Sequence, residues 1–484
     1  MKKHNLIIQA ILVIGLLIRI WSIDLPLLEF YPTRQVHTAE ITRNLYKEGF
    51  KLFRPSVHFY GPGEGLVLLE FPIYNLTVSL FYFITGNVNE YYGRLLSIFG
   101  WGISAIFLYK LTLRYTSILA SLVSTFIYTF SPLSVLISRS FQPDQWMLTF
   151  SIASIYFMNE WLIKEKRLFF LLSSVCISIS LLLKIQSVIY IFLPIIYLIS
   201  NKMIKRKNII LNASCFIVAL LPSIIWYVYA FSLKQRNLAV EGMFTISNWF
   251  RPELFLNPKY YSNIFGFEYN LVLLPIGIFL LIIGLVSKLK KRQFLLYAWL
   301  AGVILYFIVL NRQNMVHEYY HLPFIPIAAI FIGIGVEKLF KAFNGLFINK
   351  YFLLLTLAFL YFISAIIVVI NRGYQVVPRF RYVLETAAKV KSLTKPNDLI
   401  VGVMDSGPTL VYYSERTGWD FDINSENSIS RLEKLRGEGA VVFASAYKNQ
   451  FLENKEFAKY MYRNYDILKE TDNYIIFGLT SNLD

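Results

Sequence analysis

The chain is poor in the residues that most often mark cross-links or reactive sites. It has two cysteines and five histidines among 484 residues, and charged side chains make up only 16%. Cys176 and Cys215 both fall inside apolar runs, which argues against a structural disulfide and leaves the redox compartment unread. An ordinary soluble domain is about 25% charged and about 45–50% apolar. At 56% apolar, with repeated runs of membrane length, this chain is excluded from that class. Acidic residues are scarce too, 30 against 47 basic ones, for a formal charge of +17. That surplus does not indicate nucleic-acid binding, because most of it lies in short loops between apolar runs, where it sets topology. No repeat of fixed period and no low-complexity tract is visible. The start, MKKHNLIIQAILVIGLL, has the basic flank and apolar stretch of a secretion signal. No small-residue cleavage site follows before Asp24, so an uncleaved first helix is expected.

What is present is a series of apolar runs, at about 5–23, 66–86, 93–111, 117–137, 145–163, 168–200, 208–231, 270–287, 293–310, 321–340 and 350–370. Runs near 20 residues define a polytopic α-helical membrane protein. The run 168–200 is too long for one crossing and is interrupted by Lys184 and Gln186; it reads as two short helices with Lys184 at the turn. The run 66–86 decides the topology, since Glu70, Pro72 and Asn75 are costly at mid-membrane. If it dips in from outside without crossing, the N-terminus and five later connections share one side and hold eighteen basic residues, Lys2 and Lys3 through Lys341 and Lys350. The opposite connections beyond the first loop hold seven, among them Arg139, Lys184 and Arg312. The positive-inside rule then predicts about eleven crossings plus a re-entrant or juxtamembrane outer segment, a cytoplasmic N-terminus and an external C-terminus. Residues 1–370 form the membrane domain, with a long first outer loop at 24–92 and a second at 232–269.

Beyond residue 371 the composition changes. Residues 377–393, 408–416 and 428–439 read as helices, DLIVGVMDSG and AVVFASA as strands, residues 448–465 as helical, and YDILKETD with NYIIFGL as a hairpin. Alternating strands and helices over 371–484 predict a small external α/β domain, large enough to own a core. It has no glycine-rich phosphate loop, and no chemistry is assigned to it.

The most signal-rich polar stretch is residues 31–49, YPTRQVHTAEITRNLYKEG. Pro32 suits a first helical turn, Thr33 can cap, and Gly49 can end the helix. Arg34, His37 and Glu40 then stand three apart on one flank. A plain amphipathic helix lying on the bilayer is the bland alternative. Four further polar groups fall on the same predicted side: Glu70 in LLEFPIYN, Asp144 in SRSFQPDQW with Arg139, Lys184, and Tyr319, Tyr320 and His321 in VHEYYHLPFIP. Each has a structural alternative. Asp144 can simply cap its helix, Glu70 can snorkel to water, and His317 and His321 can be interfacial residues. Their joint placement is what favours a site.

The stretch T-R-Q-V-H-T-A-E-I-T-R-N-L-Y-K-E-G resembles the first outer loop of the polyprenyl-phosphate-sugar-dependent glycosyltransferases of the C-type fold. This is the broad family of protein mannosyltransferases and aminoarabinose transferases, in which one subgroup reads W-R-Q-A-D-T-A-x-I-A-R-N-x-Y-x-x-G. His37 occupies the subgroup's aspartate position. Glu70 matches the family's E-x-P element, residues 139–144 its R-x-x-x-P-D turn, and residues 317–323 its H-x-Y-Y-x-L-P segment. The resemblance covers about residues 5–345 and extends more weakly to LVYYSERTGW at 410–419. It implies transfer of a sugar, with inversion, from a polyprenyl-phosphate carrier to a lipid, glycan or protein acceptor outside the cytoplasmic membrane. Such a reaction needs a general base, for which Glu70, His37 and Glu40 are candidates, and cations for the leaving phosphate. Arg34, Arg139, Lys184, Tyr319, Tyr320 and His321 are the expected substrate contacts. Glu70 and Asp144 are a candidate pair for a divalent metal cation. Lys184 is expected to contact the donor with little weight in folding. Two other classes share the many crossings. A polysaccharide polymerase or ligase predicts arginine-rich outer loops, and a lipid-linked sugar transporter predicts inverted repeats; the sequence shows neither.

Overall fold

The computed structural model describes residues 2–201, 209–234, 246–343, 349–403 and 408–480. The basic cluster at 202–207, Arg236 and Glu241 of the second outer loop, and the turn after the first predicted strand lie outside the described residues. Ten helices open the chain: α1 (Lys2–Ile20), α2 (Pro32–Lys47), α3 (Ile73–Thr85), α4 (Tyr91–Tyr115), α5 (Ile118–Phe130), α6 (Pro132–Ser138), α7 (Asp144–Lys164), α8 (Arg167–Leu183), α9 (Ser187–Asn201) and α10 (Ile209–Ser232). Helices Leu274–Leu285, Phe294–Val309, Phe324–Ala342 and Lys350–Gly373 complete the apolar set.

The run 168–200 divides at Lys184, which caps the C-terminus of α8 in extended conformation. The run 117–137 also divides: α5 and α6 meet at 59° because Pro132 lacks an amide hydrogen and holds Ser131 extended. The run 66–86 yields only the 13-residue α3, well short of the ~20 residues a crossing needs. Among the described residues three helices are long and apolar enough to cross alone, or up to five if each bent pair counts as one span. That is fewer than the eleven crossings expected from sequence; the other apolar helices, such as α8 with 17 residues and α9 with 15, fall short of a standard span.

With lipid as solvent, helix association depends on close packing. The helix Leu274–Leu285 lies backbone to backbone against Phe324–Ala342: a Cβ on Gly284 would collide with the Phe331 carbonyl, and one on Gly335 with that of Leu280. A buried ion cluster pins the start of the long loop between α1 and α3. Glu29 accepts from Arg94 at 2.9 Å and Arg139 at 3.0 Å. Arg94 also donates to the carbonyls of Ile23 and Pro26, and Arg139 to those of Ser22 and Gly373.

The C-terminal region contains a five-stranded sheet of order β2-β1-β3-β5-β4. Its strands are β1 (Leu399–Val403), β2 (Thr417–Phe421), β3 (Ala440–Ser445), β4 (Asp466–Glu470) and β5 (Ile475–Gly478). β1 pairs in parallel with β2 and β3, while β4 and β5 form the expected antiparallel hairpin. β2, TGWDF, is not expected from sequence, since Gly and Asp are poor strand residues. It forms because both edges find partners. On its outer edge, Gly418 N–H donates to His58 O at 2.9 Å, Gly61 N–H to Gly418 O at 2.7 Å, and Asp420 N–H to Phe59 O at 3.2 Å. A strap from the long loop between α2 and α3, residues 56–66, thus covers what would be an open sheet edge.

The α/β region owns one core, around Phe421, Leu432, Phe443 and Phe477. Its second core is shared: Leu28, Ile41, Leu45, Val57 and Phe59 of the segment between α1 and α3 pack with Phe380, Val383, Leu410 and Ile476. The LVYYSERTGW stretch supplies much of this docking. Tyr412 lies under the Arg43 guanidinium at 4.2 Å, the Tyr413 hydroxyl accepts from Leu27 N–H at 2.7 Å, and Trp419 packs on Gly61.

Candidate active site

α2 begins at Pro32, its first-turn position, after Tyr31 in left-handed conformation (φ 54°) with no side-chain cap. Thr33 is therefore not the cap. The Tyr31 hydroxyl instead accepts from Glu318 N–H at 3.1 Å, and Gly49 ends the helix region with φ 87°. Two side-chain amides fix the helix in place. Gln35 accepts from Phe141 N–H at 2.8 Å, and Asn75 of α3 donates to Thr38 O at 2.8 Å. The segment carrying Glu70 is held by Trp226 Nε1 donating to Leu69 O at 3.1 Å and Phe71 N–H donating to Leu182 O at 2.9 Å.

These anchors assemble a row of alternating charges from four parts of the chain. Arg34 Nη2 lies 2.5 Å from Glu70 Oε1 and 4.0 Å from Asp144 Oδ2, and Lys184 Nζ lies 2.6 Å from Asp144 Oδ1. The Lys184 ammonium rests over the rings of Tyr320 at 4.1 Å and Tyr319 at 4.8 Å. Asp144 is buried, whereas Arg34 and Glu70 keep 17% and 19% side-chain exposure; the row is reached from the Arg34–Glu70 end. There a cleft of about 20 Å³, room for one water-sized group, lies among Arg34, His37, Thr38, Glu70, Asn75 and Pro143. Beside it opens a cavity of about 610 Å³. Arg34, His37, His317 and Tyr319 form one wall, Phe59, Tyr60 and Leu69 another, and Arg379, Pro408 and Asp420 of the α/β region complete it.

His37 packs its ring against Phe59, centroids 5.5 Å apart. Burial, reinforced by the Arg34 charge, pushes its pKa down to about 3, so the ring is neutral near pH 7. Glu40 points elsewhere. It is buried, accepts from His58 N–H at 2.9 Å and faces Arg43 at 3.9 Å. Burial pushes its pKa up to about 7, against the opposing effects of Arg43 and the His58 N–H.

Of the residues singled out in the sequence, Arg34, His37, Glu70, Asp144, Lys184, Tyr319 and Tyr320 gather here. Three do not. Glu40 holds the strap and does not line the cavity. Arg139 is buried with Glu29 and stacks on Tyr374 at 4.0 Å, so its charge is committed to the loop clamp. His321 is buried with both ring nitrogens engaged, Nδ1 by Glu268 at 2.7 Å and Nε2 by the Asn314 carbonyl at 2.9 Å. The expected metal pair also changes character. Arg34 and Lys184 occupy the charge row between and beside Glu70 and Asp144, and among the described residues no three metal-ligating side chains gather. This donor set, already neutralised by two cations, does not fit a divalent metal. Asp420, Arg379 and Tyr60 were not found from sequence, because nothing local ties a five-residue strand at 417–421 to a loop some 360 residues earlier.

The arrangement can be compared with known proteins. The family described as dolichyl-phosphate-mannose-protein mannosyltransferase matches over residues 70–226, which include Glu70, Asp144 and Lys184. No curated protein matches the sequence significantly. Among solved structures, ArnT from Cupriavidus metallidurans bound to undecaprenyl phosphate superposes with a TM-score of 0.69 over 98% of each chain, at 13% identity. This is a C-type glycosyltransferase fold. Two other structures place the C-type fold in wider company. The archaeal oligosaccharyltransferase AglB from Archaeoglobus fulgidus, in complex with an inhibitory peptide and a dolichol-phosphate, gives 0.60 at 11% identity, over 98% of this chain and 74% of that one. The arabinofuranosyltransferase AftD from Mycobacteria gives 0.55 at 10% identity, over 98% of this chain and 41% of that one. In this chain the charge row and the cavity are built around the same stretch, residues 31–49, that stands out in the sequence.

Proposed function

We propose that this chain is a membrane glycosyltransferase that moves a sugar from a polyprenyl-phosphate carrier to an acceptor on the outer side of the cytoplasmic membrane, with inversion at the anomeric carbon. The observation that carries the reading is the Glu70–Arg34–Asp144–Lys184 row at the edge of a cavity large enough for a sugar phosphate. A donor phosphate at the exposed Arg34 competes with Glu70 for the guanidinium fork, which binds phosphate oxygens as it binds carboxylates. Arg34 and Lys184 then stabilise the charge that develops on the leaving phosphate. Glu70, released from its ion pair, takes the acceptor proton as the acceptor oxygen bonds to the anomeric carbon. The carbon–oxygen bond to phosphate breaks in the same displacement, and its electron pair leaves on the polyprenyl phosphate. His37, neutral and packed on Phe59, orients the reacting groups. The ArnT and AglB structures contain undecaprenyl phosphate and a dolichol-phosphate, which supports a polyprenyl carrier here. The membrane arrangement belongs to the same proposal: N-terminus cytoplasmic, α/β region external, and about eleven crossings by charge distribution. The test is release of free polyprenyl phosphate from a radiolabelled polyprenyl-phosphate hexose by the purified protein. Binding of the donor without release is the result expected of a transporter, and it overturns the enzyme reading.

A further inference from the structure

The cavity has two chemically different ends. One is the cationic charge row beneath α2. The other is made by Phe59 and Tyr60 of the strap with Arg379 and Asp420 of the α/β region. The proposed reaction uses only the first.

We infer that this second end is the acceptor site, and that it takes a saccharide hydroxyl group, with Asp420 accepting hydrogen bonds from the sugar and Tyr60 stacking on its ring. The inference rests on the glycosyltransferase reading above and adds the acceptor class to it. Asp420 Oδ1 is buried without a hydrogen-bond partner, and an unmet buried acceptor is costly unless a ligand supplies the donor. Burial raises the Asp420 pKa to about 6, countered by Arg431 and the Phe421 N–H, so the carboxylate is mostly ionised at neutral pH and accepts only. Tyr60 is 50% exposed with its ring 4.8 Å from that of Phe59. This is an aromatic surface with a free face beside a carboxylate. A sugar ring offers the complement, apolar C–H faces with hydroxyl donors at the rim.

The two residues are also preorganised relative to each other. Asp420 N–H donates to Phe59 O, the residue before Tyr60, at 3.2 Å, and Tyr60 bridges to Trp419. Strap and strand therefore present ring and carboxylate as one rigid unit, which lowers the ordering cost of binding. The charges of Arg379 and Asp420 disfavour an acyl chain at this end. The apolar groove of about 350 Å³ lies far away in the bundle, among Ile7, Leu122, Phe126 and Leu355 of α1, α5 and the helix Lys350–Gly373.

The experiment uses the full-length protein in nanodiscs with a radiolabelled polyprenyl-phosphate hexose. The acceptor probes are soluble disaccharides of glucose, galactose, mannose and N-acetylglucosamine, with phosphatidylglycerol and a serine/threonine-rich peptide as competitors. At least one disaccharide is expected to become labelled. Asp420→Asn is expected to raise the KM for that disaccharide by about tenfold or more, the weight of one charged hydrogen bond, with the donor KM moving less than about threefold. Tyr60→Ala, at a half-exposed position, should raise the same KM by several-fold and serves if Asp420→Asn does not fold. Labelling of the lipid or the peptide and of no disaccharide overturns the inference while leaving the enzyme reading intact, as do unchanged acceptor KM values in both variants. No release of polyprenyl phosphate under any condition overturns the underlying reading and the acceptor site with it.

Discussion

At the scale of single residues, the reaction turns on which side chain can hold a proton at the right moment. His37 stands where the resembling subgroup has aspartate, and an ordinary imidazole there would lose its competence as pH falls through about 6.5. Burial beside Arg34 moves that titration to about 3, so the rate between pH 5 and 8 is expected to carry no acid limb from His37. Wild type and His37→Ala should show pH–rate profiles of the same shape. Glu70→Gln is expected to lower turnover by about 10²-fold or more, the usual weight of a general base, with donor binding still measurable by titration. Near-normal turnover in that variant would return the role to His37. Lys184 is a different case. From sequence its loss is expected to matter little to folding, but its ammonium is buried 2.6 Å from the buried Asp144. Removing one member of such a pair costs about 3–5 kcal/mol, softened here by Arg34 at 4.0 Å. Lys184→Met should therefore lower the melting temperature in detergent as well as weaken donor binding. The double variant Lys184→Met with Asp144→Asn should regain part of the lost stability, since no buried charge is then left unpaired.

At the scale of elements, the strap at residues 56–66 matters most, because it joins α2 to β2 and puts Tyr60 beside Asp420. Its path needs Gly61, which has φ 93° and sits against the Trp419 indole with no room for a Cβ. Gly61→Ala combines backbone strain with a side-chain clash, for a cost of about 1–3 kcal/mol. The expected result is faster proteolysis within the strap, a lower melting temperature, and a weaker effect on the bundle helices in hydrogen exchange. A variant as resistant as wild type would mean that the strap is not held by this contact. The strap also explains the position of Glu40, whose carboxylate receives the His58 N–H. That contact anchors the loop and holds Glu40 away from the cavity.

At the scale of the whole molecule, the α/β region and the segment between α1 and α3 share a core, so the two must lie on the same side of the membrane. Asn427 is exposed at the start of the helix Ser428–Gly437. A cysteine placed there is expected to react with an impermeant maleimide added to intact cells. Protection in intact cells followed by labelling after lysis would invert the topology and move the candidate active site to the cytoplasmic face.

The amino-acid sequence by itself determined the membrane class, the division of 168–200 at Lys184, most elements of the α/β region, and the polar stretch that carries Arg34 and His37. These are local properties: apolar run length, a lone charge inside such a run, glycine and proline at helix ends. Only the tertiary structure decided which charges meet. Arg139 and His321 sit in motifs that look functional, yet each is itself buried and spends its hydrogen bonds within the fold, Arg139 on Glu29 and Gly373 and His321 on Glu268 and the Asn314 carbonyl. β2 carries little strand signal of its own and exists because β1 on one edge and the strap on the other complete its hydrogen bonds. Asp420 reaches the cavity for the same reason. Its place depends on pairing across more than 350 residues of chain, and no spacing within TGWDF records that.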